Sequence, residues 1–327
     1  MGRSGSASKQ SLGIVIPTVG QRPELKRMLL SIAAQTVPVE AVRIVVDSDD
    51  TSLVEQIVID LSDALGSIDV EVDSTGVHRA EGAYLVDEAG HGFAMHLGSA
   101  KLDTDLVAFL DDDDEILPQH YEHLIEALDP GAGVGVAYSR VVVVTAAGGR
   151  KLHPGGDLPV GKLSASLIID RQPALLPASL IHRSVLDMVE NVDESFDRLA
   201  DTEMLVRLGA VTRFAAVDDP TYIYYRVDKK ALINERVLTE TARLLRKHEG
   251  LLRKRERILF WDTQARQALR AGFDDLGRDA AGQVLGAMLP VVPELFVNWY
   301  VGLRRRQTPE YLKRVAAKMV GPKSAPR

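Results

Sequence analysis

The sequence predicts an α/β fold built on a mainly parallel central sheet, and three observations carry that expectation. Short apolar runs rich in Val and Ile recur through the first third of the chain, stretches of helical spacing separate them, and the runs end in polar, often acidic tips. Continuous apolar runs suit strands buried on both faces, and intervening helices supply the crossovers that parallel pairing needs.

Leu12 to Ile16 is the first such run, closed by Pro17; Pro23 then opens a helical pattern that sets Leu25, Met28, Leu29, Ile32 and Ala33 on one face. After the turn at Val37-Pro38, Val42 to Val46 reads as a second strand that ends at Asp47 and Ser48. A helix over Val54 to Leu65, a strand over Ile68 to Val72 and a small-residue helix over Gly92 to Ala100 follow. Leu106 to Leu110 is the strand that runs into Asp111-Asp112-Asp113-Asp114, and Pro118 with Tyr121, Leu124, Ile125 and Leu128 marks the next helix. Further on, Val134 to Thr145 is a long β-rich run ended by Ala147-Gly148-Gly149. Leu175 to His182, Arg213 to Val217 and Tyr222 to Arg226 read as strands, and Thr202 to Leu208 as a helix. From Ala231 on, Leu, Ile and Val recur at helical spacing among Arg, Lys and Glu. The expected division is a flexible N-terminus over 1–11, one α/β domain over 12–230 with halves at 12–115 and 116–230, and a helical region over 231–327.

Composition narrows the chemistry. With no Cys, disulfides and thiolate metal sites are excluded, and any metal must be held by Asp, Glu or His. The net charge of -7 hides an asymmetry: from Glu240 on there are 18 Lys and Arg against 9 Asp and Glu, a segment charge of +9 that leaves -16 for the rest. The N-terminal Gly- and Ser-rich stretch has no apolar segment of signal or membrane type, and a cytoplasmic setting is expected. The apolar stretch Val284 to Leu303, with Phe296, Trp299 and Tyr300, ends in Arg304-Arg305-Arg306, a pattern shared by an interfacial anchor at the inner membrane surface and by a face packed on the body or on a second copy. Pro290 and Pro293 argue against a spanning helix.

Packed carboxylates at the end of an apolar strand repel one another and call for a counter-charge, although a solvated acidic turn is the plainer alternative. In open α/β sheets ligands bind at the carboxyl ends of strands. Carboxylate oxygens are hard ligands suited to Mg²⁺ or Mn²⁺, which take one or two carboxylates and complete their shells with water and phosphate. A metal-diphosphate site is the natural reading of Asp111 to Asp114. The nicotinamide alternative is disfavoured, because no GxGxxG follows the first strand.

Four segments together resemble the family 2 glycosyltransferases of GT-A fold: Ile14-Val15-Ile16-Pro17-Thr18 with its helix and Gln35-Thr36, Val45-Val46-Asp47, the Asp111 to Asp114 run, and Phe196-Asp197 followed by Asp201-Thr202-Glu203 and Arg207. The resemblance implies an enzyme that moves a sugar from a nucleoside-diphosphate sugar to an acceptor hydroxyl by single displacement with inversion, using Mn²⁺ or Mg²⁺. The acceptor class, whether glycan, glycolipid, protein or small molecule, stays open. Carried over residue by residue, Pro17 and Thr18 form the loop under the nucleotide and Asp47 contacts its base or ribose. Asp111, Asp112 and Asp113 form the DxD region, in which Asp113 and Asp111 hold the metal. Asp201 takes the place of the catalytic base with Glu203 in reserve, and Arg226 lies near the diphosphate. A plain helix N-cap is the alternative role for Asp201. Three departures stand out: Met95-His96 replaces an Arg-Asn pair, Asp47-Ser48 replaces an Asp-Asp pair, and no His follows Tyr224-Tyr225-Arg226. Sugar-phosphate nucleotidyl transfer and a non-catalytic nucleotide-sugar-binding protein are the competing readings on the same scaffold.

Overall fold

The computed structural model describes residues 10–20, 22–76, 90–226 and 235–288. The chain divides into two compact units, Met1–Lys230 and Ala231–Arg327.

The first unit opens with β1 (Leu12–Thr18), α1 (Leu25–Ala33), β2 (Ala41–Val46), α2 (Ser52–Asp60), α3 (Ser62–Leu65), β3 (Asp69–Ser74), α4 (His91–Ala100) and β4 (Leu106–Phe109). It continues with β5 (Glu115–Ile116), α5 (His120–Ala127), β6 (Val134–Thr145), β7 (Arg150–His153), α6 (Ala165–Arg171), β8 (Ser179–His182), α7 (Arg183–Met188), α8 (Ala200–Val211) and β9 (Arg213–Arg226). The strands form one sheet in the order β3-β2-β1-β4-β8-β6-β9-β5, with β7 paired to β6 outside that path. Parallel pairing holds across β3, β2, β1 and β4, as the alternation of strands and helices requires. Beyond β4 the sheet is mixed: β8 is antiparallel to both β4 and β6, whereas β9 is parallel to β6.

Residue chemistry accounts for these elements. All seven residues of β1 and all six of β2 are buried, which explains their apolar, β-branched make-up. In α1, Leu25, Met28, Leu29 and Ile32 form the buried stripe at helical spacing. The helix expected over Val54 to Leu65 is two, because the Leu61 N–H is shared between the carbonyls of Ile57 and Val58 and tightens the backbone there. The two strands expected over 213–226 are one 14-residue strand; Pro220 has no N–H to give, and the register against β6 shifts around Arg140 instead of breaking. The strand expected from Leu175 begins at Ser179, after a short 3₁₀ turn containing Pro177.

Buried polar groups already fix some solution behaviour. His120 is fully buried beside Tyr121 and Tyr222, its Nδ1 2.8 Å from Thr221 Oγ1 and its Nε2 without a hydrogen-bond partner among the described residues. Burial drops its pKa to about 3, so the folded state keeps the ring neutral where the unfolded chain would protonate it. The unfolded state then binds the extra proton, and stability falls as pH falls from the ordinary histidine value, by about 1.4 kcal/mol per pH unit for this one group. Denaturant melts of His120→Gln between pH 4 and 7 should show a shallower acid limb than the parent; equal slopes would exclude His120 as its source.

In the second unit α9 (Glu235–Lys247), α10 (Lys254–Ala271) and α11 (Asp274–Met288) are helical, as the spacing predicts. At the start of α10 the Arg253 N–H donates to Glu256 Oε2 at 2.8 Å, and Gly272 at φ +84 ends the helix. Arg246 covers the Trp261 ring at 5.4 Å and Gln264 donates to the Leu238 carbonyl. Among the described residues no helix is long and apolar enough to cross a membrane. Residues 289–327, which include most of the proposed interfacial segment and Arg304 to Arg306, lie outside the described residues.

Candidate active site

The parallel register brings three strand tips to one edge. Thr18 at the end of β1 pairs with Val46 at the end of β2, and Val15 pairs with Phe109 at the end of β4. Because β2 and β4 flank β1, the edge above β1 is a topological switch point, the place where open α/β sheets bind ligands. Asp47 follows β2; its N–H donates to the Thr18 carbonyl at 2.7 Å, and Thr75 Oγ1 donates to its Oδ1 at 3.2 Å. Thr18 Oγ1 in turn donates to Asp112 Oδ2 at 2.5 Å, so one threonine ties the β2 tip to the acid run. Pro17 is buried within β1, leaving Thr18 as the polar member of that expected pair.

The four aspartates sort by environment. Asp114 is fully buried and withdrawn into the fold: Tyr222 Oη donates to its Oδ2 at 2.6 Å and the Tyr225 N–H to its Oδ1 at 2.8 Å. Burial and then the charge of Asp111 push its carboxyl up to about 8. Asp112 is buried between Thr18 and Arg22. Asp113 is 23 % exposed, and Arg22 Nη1 reaches its Oδ2 at 2.5 Å. Asp111 is pushed up to about 7, first by burial and then by Asp113, Asp112 and Asp201. Arg27 braces the main chain, donating to the carbonyls of Asp113 and Asp114 while it stacks on Tyr225 at 4.1 Å.

A second wall comes from α4 and α8. The His91 N–H at the start of α4 donates to Asp197 Oδ1 at 2.7 Å. Gly92 permits this approach, since a Cβ there would lie 1.9 Å from the Phe196 carbonyl oxygen. Farther along, a Cβ on Gly98 would lie 2.6 Å from Val15 Cγ1, which places α4 hard against β1. Asp201 sits in the first turn of α8 rather than at its N-cap, which is Leu199, and its Oδ1 accepts from the Thr202 N–H at 2.6 Å. An acid in a first turn is favoured by the helix dipole. Burial nonetheless raises the Asp201 carboxyl above its ordinary value, opposed by the Thr202 hydrogen bond and by His91. The His91 imidazole is lowered by burial against the pull of Asp201, Asp197 and Asp112. Asp201 therefore lies within electrostatic reach of Asp111, and His91 on the same wall feels both Asp201 and Asp112.

Several residues take quieter roles. Glu203 is fully buried, and both its oxygens are held by Arg207 at 2.7 to 2.9 Å. Arg207 also grips the Asn191 carbonyl at 2.6 Å, so this pair fixes α8 against the preceding loop. His96 Nδ1 lies 2.9 Å from the Val192 carbonyl and Met95 is buried; neither is drawn to the acids by a hydrogen bond among the described residues. Arg226 ends β9, and its side chain lies outside the described residues, as do Lys229 and Lys230. Sequence reasoning missed Arg22, Arg27, His91 and the Tyr222/Tyr225 clamp. The loop after the first strand is the available signal for Arg22. Among the described residues no three His, Cys, Asp or Glu side chains form a ready-made metal cage.

The fold is of the GT-A type that glycosyltransferases share. Residues 13–169, just under half of the chain, match the model of glycosyl transferase family 2. The fold is similar to that of S. aureus TarS 1-349, at 15% identity and TM-score 0.51, with 90% of this chain and 79% of that one covered. The complex of TarS 1-349 with UDP-GlcNAc matches at 16% identity and TM-score 0.50, covering 92% and 82%. Another structure of S. aureus TarS matches at 15% identity and TM-score 0.53, covering 85% of this chain and 54% of that one. No curated protein matches the sequence.

Proposed function

We propose that this enzyme transfers a sugar from a nucleoside-diphosphate sugar to an acceptor hydroxyl by a metal-dependent single displacement that inverts the anomeric centre. What supports the reading is that Asp111, near Asp113 after β4, lies within electrostatic reach of Asp201 in the first turn of α8. The nucleotide sugar bound in the TarS 1-349 complex supports the donor class.

The acid run fits a hard divalent cation. Its donors are carboxylate oxygens, and burial, then the like charges of Asp113, Asp112 and Asp201, push Asp111 up to about 7; a cation would offset both. One or two carboxylates are what Mg²⁺ or Mn²⁺ takes when a diphosphate supplies further oxygens. Asp113, the more open carboxylate, and Asp111 would hold the ion, which would supply charge to offset what develops on the leaving diphosphate.

The chain's own groups do the rest. Thr18 and Asp47 line the β1 and β2 tips, where Asp47 can accept a hydrogen bond from a base N–H or ribose hydroxyl. Asp201, raised by burial, accepts the proton of the acceptor hydroxyl as that oxygen attacks the anomeric carbon. Asp114, Tyr222, Tyr225 and Arg27 hold the acid run in place. Glu203 with Arg207 acts as a positioning pair for α8 and so for Asp201.

Water can stand in for the unknown acceptor. The enzyme should be incubated with α-linked nucleotide sugars and Mn²⁺, and the first-formed free sugar followed by NMR before mutarotation. The expected product of hydrolysis is the β anomer; first-formed α anomer would overturn the single displacement.

A further inference from the structure

Arg22 differs from its neighbour Arg27 in what it holds. Arg27 grips main-chain carbonyls and stacks on an aromatic ring, so it fixes the backbone of the acid run. Arg22 holds carboxylates: its Nη1 lies 2.9 Å from Asp112 Oδ1 and 2.5 Å from Asp113 Oδ2. Its side chain is 30% exposed, against 5% for Asp112, so the guanidinium lies over the acids on their open side. It follows the turn at Gly20, whose φ of +77 and N–H to Thr18 Oγ1 anchor the base of the loop.

A guanidinium bridging two carboxylates does electrostatically what a divalent ion would do there. The two cannot share Asp113 comfortably, because a doubly charged ion within a few ångströms of Arg22 would repel it in this half-buried setting. The forked donors of an arginine are also well matched to phosphate oxygens. We propose that Arg22 is the resident counter-cation of the acid run, displaced from Asp113 when a divalent ion is held there, and that the released guanidinium pairs with the donor diphosphate. This role rests on the metal-dependent reading above.

The proposal demands opposite effects from one substitution. Removing Arg22 removes a competitor for the metal and a partner for the diphosphate. Mn²⁺ alone is titrated into the full chain and followed by the electron paramagnetic resonance of the free ion; pyrophosphate is then titrated in excess Mn²⁺ by calorimetry. Relative to the parent, Arg22→Gln should bind Mn²⁺ about tenfold more tightly and pyrophosphate about tenfold more weakly, the scale of one charge-assisted contact. Arg22→Lys should fall between the two on both measures, and it carries the test if the Gln variant fails to melt as a folded protein. Unchanged or weaker Mn²⁺ binding in a folded Arg22 variant would overturn the role. Asp113→Asn separates this from the parent reading. If it leaves Mn²⁺ binding intact, the metal site itself is misplaced; if it abolishes binding while Arg22→Gln does not tighten it, only the counter-cation role falls.

Discussion

Replacing Asp201 with Asn should lower kcat for sugar transfer by about three orders of magnitude, the middle of the range for a positioned general base, and leave donor binding within about twofold. The substitution keeps the shape and the hydrogen bond that Oδ1 accepts from the Thr202 N–H, so α8 keeps its first turn. What disappears is a carboxylate that can take a proton. Burial holds the Asp201 carboxyl above its ordinary value, and His91 and the Thr202 contact restrain the rise. The parent enzyme's kcat should therefore climb with pH through an apparent pKa above that of an ordinary aspartate, and the residual activity of Asp201→Asn should lack that limb. A variant that keeps normal kcat with an unchanged pH profile would show that the proton goes elsewhere.

Asp113→Asn should cost a similar factor by a different route. The proposed ion offsets charge on the leaving diphosphate, an effect worth several kcal/mol and so about three orders of magnitude in rate. Asn retains an acceptor oxygen but no charge, and Arg22 keeps its contact with Asp112 after the change. The fold should survive, because Asp113 is partly exposed and its backbone is braced by Arg27. Added Mn²⁺ should stimulate the parent strongly and the variant weakly, whereas the loss in Asp201→Asn should persist at any Mn²⁺ concentration. Equal Mn²⁺ stimulation of parent and Asp113→Asn would move the ion to another carboxylate.

Much of this site is legible in the sequence because it lies at strand tips. An apolar run that ends in Asp47 or Asp111 fixes both the strand and the side of the sheet on which its acid emerges. The parallel order of β1, β2, β3 and β4 follows from the helices between them. The less legible half has different physics. Arg150 to His153 shows no apolar alternation, because β7 hangs at the margin of the sheet, so only the glycine turn before it is visible. β9 runs through Asp218-Asp219-Pro220, residues that read as a break, because a register shift absorbs the proline. Within the acid run, spacing alone cannot tell Asp114 from Asp113: the difference is made by Tyr222 and Tyr225, more than a hundred residues away in the chain. Arg22 is likewise an ordinary loop arginine until the fold lays it over Asp112 and Asp113. Glu203 looks like a second acid beside Asp201, yet two positions farther along the helix it turns to another face and meets Arg207.

The central claim is that the acids at the β4 tip and Asp201 form one sugar-transfer site. Release of nucleoside diphosphate from a panel of nucleotide sugars, measured side by side for the parent with and without Mn²⁺, for Asp113→Asn and for Asp201→Asn, tests it most directly. The expected result is release by the parent from at least one donor, dependent on Mn²⁺ and lost in both variants. Release that ignores Mn²⁺ and persists in both variants would contradict it.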